Sequence, residues 1–278
     1  MTPAPRVVRA GFAPVKGTRH QSYDAVRLDE SGPVGDRAWC LVDVDQRRVL
    51  RTVQHPSLVA VSAVASTDGL ALTLPTGEVV SGPAVPSGES LTCDYWGGPV
   101  TLDLLDGPHS ALASSYLGKP VRLAAAPRGG VVYAGAVTIV STGTLRALAE
   151  RLGLPADART LDGLAARFRP TFVVESDEPH AEDSWVGAEV DLGPARVRVT
   201  SRVPRCAVVD VDPVTGERGG RVLAALAAYR PRHGSGELLL AVDAEVVVPG
   251  TVAVTPARLP DQRRRVLRNR PAGGPGWA

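Results

Sequence analysis

Cys206 closes the run Arg202-Val203-Pro204-Arg205-Cys206, with a guanidinium one residue before the thiol. A fixed positive charge favours thiolate, which is both a strong nucleophile and a soft metal ligand. A buried small hydrophobe is the plainer role for a free cysteine. Four further clusters invite chemistry. Ser141-Thr142-Gly143-Thr144 separates an apolar run, 136–140, from a helical pattern. Those hydroxyls read first as a helix N-cap, and with the backbone N–H groups of the helix start they could also hold an anion. Arg167-Phe168-Arg169-Pro170-Thr171 joins a helix end to a strand. Its arginines suit the macrodipole, or a guanidinium fork on phosphate. Glu182-Asp183-Ser184-Trp185 holds adjacent carboxylates, read as a solvated loop or cap ahead of acid–base work. Lys16 stands out by rarity, since only it and Lys119 are lysines among 31 basic residues.

Other site chemistries are not encoded. Cys40, Cys93 and Cys206 are widely spaced, with no CxxC pair for a zinc site, disulfide framework or iron–sulfur cluster. The five histidines form no HExxH or paired signature. Gly129-Gly130 and Gly219-Gly220 lack P-loop and GxGxxG spacing and read as turns.

The elements that must position these residues are mostly strands. The patterns predict strands over 6–15, 38–44, 47–53, 57–66, 70–75, 90–95 and 100–105, with 38–52 a hairpin and 81–89 a Pro/Gly/Ser loop. Helices are predicted over Pro108–Leu117, 142–152, 161–168 (capped around Thr160) and 221–229, with strands over 171–175, 189–192, 196–200, 207–211, 237–248 and 251–254. No parallel βαβ repetition is visible, which argues against a Rossmann sheet. The class is mainly β with interspersed helices (α+β).

The chain has 278 residues, 44% hydrophobic and 22% charged, with a net charge of +2. That fits one large or two small globular domains and excludes a mainly disordered chain. No segment approaches the ~20 apolar residues of a membrane span. The N-terminus has no continuous apolar core of a secretory signal, so a cytoplasmic protein is expected, with no membrane partner. The basic residues are spread without a stripe, and no nucleic-acid partner is expected. The tail from residue 261 is basic, then rich in Gly and Pro, and is expected to be disordered.

Taken in order, these clusters resemble the MOSC family, the C-terminal domain of molybdenum cofactor sulfurases. The resemblance is carried by Pro14-Val15-Lys16-Gly17, Gly35-Asp36-Arg37-Ala38-Trp39, Arg167-Phe168-Arg169-Pro170-Thr171, Glu182-Asp183-Ser184-Trp185, Arg205-Cys206 through Asp212-Pro213-Val214-Thr215-Gly216, and Tyr229-Arg230. It spans roughly residues 6–256 and is closest to amidoxime-reducing component-like proteins, which carry an N-terminal MOSC β-barrel region.

The resemblance implies a MOSC-type β-barrel over 126–260, packed with an N-terminal β-barrel-like region over 1–125, and a tail over 261–278. It implies a molybdenum cofactor, a molybdopterin-type pterin with Mo. Cys206 would be the catalytic residue and metal ligand. Lys16, Gly17, Arg37, Ser141, Thr142, Thr144, Arg169, Thr171 and Arg205 would be cofactor-binding. The implied function is reduction of N-hydroxylated small-molecule substrates, with electrons from a separate donor of ferredoxin, flavodoxin or reductase type. The alternatives are a non-redox carrier of cofactor or sulfur, or a repurposed member binding another phosphorylated ligand. Three positions depart from the reducing members: Gly17 and Pro204 stand where Ser is usual, and Thr171 where Asn is usual. Thr18 is a candidate to replace the first lost hydroxyl.

Overall fold

The computed structural model describes residues 4–255, so the predicted disordered tail lies outside the described residues. In chain order the strands are β1 (Val7–Phe12), β2 (Gln21–Tyr23), β3 (Ala25–Asp29), β4 (Gly32–Pro33), β5 (Trp39–Asp43), β6 (Arg48–Val49), β7 (Ser62–Ser66), β8 (Gly69–Thr73), β9 (Val79–Gly82), β10 (Val85–Tyr95), β11 (Gly98–Asp106), β12 (Arg122–Ala125), β13 (Val137–Ser141), β14 (Phe172–Val174), β15 (Glu189–Leu192), β16 (Ala195–Arg205), β17 (Leu238–Val248) and β18 (Gly250–Ala253). The α-helices are α1 (Pro108–Leu117), α2 (Thr142–Arg151), α3 (Ala158–Phe168) and α4 (Val222–Ala227). The class is α+β, as the patterning predicts.

Strand pairing divides the strands among a closed barrel and three sheets. β10, β11, β12, β5 and β6 form the closed barrel, and β7, β8 and β9 a small antiparallel sheet. Seven strands in the order β15-β16-β17-β13-β14-β1-β2 make the largest sheet, and β18-β3-β4 make a third. Pairing crosses the sequence division expected at 125/126. β1 runs antiparallel to β14, and β3 pairs with β18. The chain therefore enters through the large sheet, builds the barrel, and returns. This path brings the segment after β1 beside the end of α3.

Alternation along the strands explains the layers. In β14, Phe172 and Val174 face one core while Val173 faces the other; in β13, Val137 and Ile139 oppose Val140. The first core is closed by Val26, Leu28 and Val252 from the β18-β3-β4 sheet, the second by α2, α3 and α4. The barrel is filled by its own strand residues, including Cys40, Val42, Cys93 and Leu102.

Proline and glycine bound α1, and side chains cap the starts of α2 and α3. α1 begins with proline at its first turn and ends at Gly118, whose φ is 65°. α2 is capped by Ser141, whose hydroxyl accepts from the Thr144 N–H. α3 starts earlier than the pattern predicts, because Asp157 rather than Thr160 caps it. β13, α2, α3 and β14 form one parallel crossover unit. A single unit leaves no repetition for sequence patterning to detect.

Other departures have physical reasons. Residues 57–60, expected as the start of a strand, lie instead in the 3-10 helix Pro56–Ala60, opened by proline. Ala207–Asp210 is likewise a 3-10 helix, its apolar run burying only Val209. The predicted loop 81–89 is largely strand. β10 begins at Val85 and is bulged between Pro86 and Ser90, with an exposed face that erases hydrophobic alternation. Among the described residues no helix is long and apolar enough to cross a membrane.

Candidate functional site

Lys16 sits in the turn after β1. Its N–H donates to the Trp39 carbonyl at 2.7 Å, which ties the turn to β5. Gly17 follows with φ +90°, and a Cβ there would meet Thr52 and Leu58 at 3.3–3.4 Å. This backbone explains why glycine stands where the family resemblance led us to expect serine. Thr18 does not restore the hydroxyl, because its Oγ1 is buried and donates to the Val15 carbonyl at 2.8 Å.

Two arginines from distant segments join Lys16. Arg37 has φ 47°, and its N–H donates to the Ala13 carbonyl at 2.9 Å. Asp36 holds the Arg37 guanidinium at 2.6 Å and accepts the Ala13 N–H through its other oxygen at 3.3 Å. Arg169 ends α3 in the left-handed region (φ 56°) and donates from Nη2 to the Thr18 carbonyl at 2.7 Å. Both arginines sit at positive φ, a conformation uncommon for non-glycine residues, and the Asp36 carboxylate and Thr18 carbonyl hold their guanidinium groups.

The electrostatics show a site short of negative charge. Burial, then the charges of Arg37 and Arg169, pull Lys16 down to about 7. Asp36 is the acid that opposes this shift, and the Lys16 ammonium lies 4.9 Å from the centre of the Tyr95 ring. Burial and then Arg37 lower Arg169 to about 10, which leaves it charged at neutral pH. Buried His20 is held neutral by burial and by Arg169 and Arg9.

Arg205 is fixed by two carbonyls, Leu240 at 2.9 Å from Nε and Phe168 at 3.1 Å from Nη1. Its Nη2 is buried without a hydrogen-bond partner. Burial draws Arg205 down to about 10, while Asp243 and Cys206 oppose the fall. Cys206 is an exposed, unpaired thiol at the start of the 3-10 helix. The other two cysteines are buried in the barrel. Asp243, 3% exposed, has its carboxyl raised by burial, and its Oδ1 has no hydrogen-bond partner.

An open cleft of about 730 Å³ lies against Asp243 and Pro204, walled by Tyr133, Val186, Arg202 and Leu239. Asp243 therefore borders the cleft and also feels the charges of Arg205 and Arg37. Asp36, Asp243 and the ring of Tyr95 belong to this neighbourhood and were not singled out from the sequence. The available signals were the Gly35-Asp36-Arg37 sequence and an acid, Asp243, directly after the apolar start of β17.

Three predicted anion-binding hydroxyls are engaged elsewhere. Ser141 caps α2, and Thr142 Oγ1 donates to the Ser176 carbonyl and accepts the Ser176 N–H. Thr144 Oγ1 donates to Glu182 Oε1 at 2.7 Å and accepts the His180 N–H at 2.9 Å. The 176–182 loop thus lies over the start of α2. A Cβ on Gly143 would stand 2.4 Å from the Glu178 carbonyl oxygen. We therefore assign Ser141, Thr142 and Thr144 to closing this helix end and not to holding an anion. Gly143→Ala should destabilise the fold by about 1–3 kcal/mol in a denaturant titration; an unchanged midpoint would contradict this packing.

The same geometry corrects the reading of Glu182 and Asp183 as solvated. Glu182 is fully buried, and Asp183 Oδ2 accepts from Arg230 Nη2 at 2.7 Å. Thr171 is also committed. Its Oγ1 accepts the Thr138 N–H at 3.1 Å, and its own N–H donates to Thr138 Oγ1 at 3.0 Å, which staples β13 to β14. The loop at Asp212–Gly216 is structural as well. Asp212 Oδ1 accepts the Val214 and Thr215 N–H groups, and Arg19 reaches the Pro213 and Val214 carbonyls.

The structure therefore brings together Lys16, Gly17, Arg37 and Arg169, and links them through Asp243 to Arg205 and Cys206. Comparisons with known proteins find two matching domain profiles. The MOSC N-terminal beta barrel domain profile matches residues 5–119, and the MOSC domain profile matches 120–255. A molybdenum cofactor sulfurase of Anopheles gambiae is 40% identical over 63 residues, which cover 23% of this chain and 8% of that protein. A protein of the same name from Solanum lycopersicum is 37% identical over 70 residues, covering 24% of this chain and 8% of that protein. The matched stretches thus span less than a tenth of those relatives. Among solved structures, the YUAD protein from Bacillus subtilis aligns over 90% of this chain and 92% of its own, with TM-score 0.43 and 10% identity.

Proposed function

Since the chain belongs to the MOSC domain family, in the two-part form that begins with a MOSC N-terminal beta barrel domain, we propose that it binds molybdenum cofactor and reduces N-hydroxylated small molecules with electrons from a separate donor protein. The observation that carries this reading is a cationic cluster with a single opposing acid, related through Asp243 and Arg205 to the exposed thiol of Cys206. Lys16, Arg37 and Arg169 crowd around one acid, Asp36, and Arg205 keeps a buried donor without a partner.

These residues fit the group. A phosphorylated pterin needs fixed cations and donors, and charge-assisted hydrogen bonds to phosphate are the strong kind. Lys16, Arg37 and Arg169 would hold the phosphate and the pterin edge, with the Gly17 turn letting the backbone approach. Cys206 would supply the protein's thiolate to the metal, beside the fixed charge of Arg205. When bound, the cofactor supplies the two-electron chemistry: R₂N–OH + 2e⁻ + 2H⁺ gives R₂NH and water. The cleft would orient the N–OH group. The carboxyl of Asp243, favoured in its protonated form by burial, is placed to hold a proton for the departing oxygen.

The test is reduction of a hydroxylamine or amidoxime by the purified, cofactor-loaded protein with an artificial electron donor. Molybdenum-dependent turnover supports the assignment. Full loading without turnover favours a second reading, a carrier of cofactor or sulfur. That alternative draws on the exposed Cys206 thiol and on the two matched relatives named as molybdenum cofactor sulfurases.

A further inference from the structure

The turn between β10 and β11 consists of Trp96 and Gly97, both with positive φ, at 55° and 83°. Two-residue hairpin turns of this kind favour Asn, Asp or Gly at the first position. A bulky residue there is an outlier with a strained backbone. The strain holds the Trp96 ring against Tyr133, with ring centres 4.4 Å apart and planes tilted by 33°. Tyr133 precedes a second strained residue, Ala134, with φ 73°.

The pair is not buried by this contact. Trp96 remains 43% exposed and Tyr133 57% exposed. The Arg51 guanidinium lies 4.5 Å from the centre of the Trp96 ring and helps to hold it. Tyr133 in turn forms a wall of the cleft whose other walls include Val186, Pro204 and Leu239, with Asp243 beside them. The neighbouring residue of the same turn, Tyr95, lies under the Lys16 ammonium. One hairpin tip thus reaches both the cationic cluster and the aromatic edge of the cleft.

We propose that Tyr133, backed by the Trp96 ring, is the specificity element of this cleft, a platform that stacks the planar ring of an aromatic N-hydroxylated substrate while its N–OH end lies toward Pro204 and Asp243. This rests on the reading of the cleft as a substrate site. It adds that the N-terminal barrel, through Trp96, supports the selecting surface and that aliphatic analogues are poor ligands.

Matched hydroxamic acids test it, because benzohydroxamic and acetohydroxamic acid share a head and differ in the ring. Dissociation constants are measured by calorimetry on the purified full-length chain, so the result does not depend on turnover. The wild type should bind the aromatic acid about tenfold more tightly. Trp96→Asn and Tyr133→Leu should each reduce that preference to about threefold or less, with little change for acetohydroxamic acid. Trp96→Asn should also leave the melting temperature equal or higher, since asparagine tolerates the turn. Equal affinities in the wild type, or a preference that survives both substitutions, would overturn the platform. So would a lower melting temperature with the preference intact, which would make the pair a structural staple. Loss of the platform alongside N–O turnover would leave the reductase reading standing, and the reverse result would leave the platform standing.

Discussion

Cys206→Ala should remove the molybdenum and abolish turnover while the protein melts as the wild type does. The thiol makes no side-chain cap hydrogen bond and is exposed, so removing it leaves no cavity and no orphaned partner. Surface substitutions of this kind usually change stability by no more than about 0.5 kcal/mol. The effect on loading should be large because, in this account, Cys206 is the chain's metal ligand. Metal content and N–O reduction should fall by roughly a factor of a hundred or more, the range in which loss of a transition-state interaction is read. Unchanged metal-dependent activity in this variant would remove Cys206 from the mechanism.

Lys16→Met should stabilise the ligand-free protein and weaken its response to phosphate. The lysine titrates near 7 in the fold, lowered by burial, Arg37 and Arg169, and near 10.4 in an unfolded chain. The unfolded state therefore binds more protons between about pH 7 and 10.5, and wild-type stability should rise with pH across that window. Below pH 7 both states are protonated and the full penalty is present, on the order of 3–5 kcal/mol. Methionine removes the charge and keeps most of the volume, so the variant should be more stable at pH 6 and lose that slope. An anion reverses the balance by pairing with the ammonium. Inorganic phosphate should raise the melting temperature of the wild type and do so far less for the variant. Lower stability of Lys16→Met at pH 6, with the phosphate response intact, would show that Lys16 already has a partner and is not an anchor.

Lys16 was legible because lysine is rare in this chain, and Arg37, Arg169 and Cys206 because each sits in a distinctive short motif. Their proximity was not legible in the residues alone. It follows from β1 pairing with β14, a contact between segments more than 150 residues apart, which places the turn after β1 beside the end of α3. The reading of Ser141, Thr142 and Thr144 as an anion site failed for a related reason. The helix start is real, but a loop from residues 176–182 covers it, and no local pattern announces that loop. Glu182 and Asp183 looked solvated because adjacent acids usually are, yet Thr144 and Arg230 bury them in partnership. Asp243 left a faint trace as an acid amid Leu238–Val248. Trp96 left another, as a large side chain where a tight turn wants Asn or Asp before Gly97.

Most of the helices and long strands followed from periodicity and punctuation. The short strands β2 and β4 did not, because they span only three and two residues and depend on their partners. The long bulged strand β10 was half hidden by its Pro and Gly content. The barrel and the large sheet belong to long-range pairing, which propensity does not encode.

The central claim is that this chain holds a molybdenum-bearing phosphorylated pterin between its cationic cluster and Cys206. The most direct measurement is the molybdenum and pterin content of the full-length protein made in a cofactor-competent host. The account predicts near-equimolar amounts of both in the wild type. A folded protein carrying neither, from a host shown to load a control protein, would contradict it.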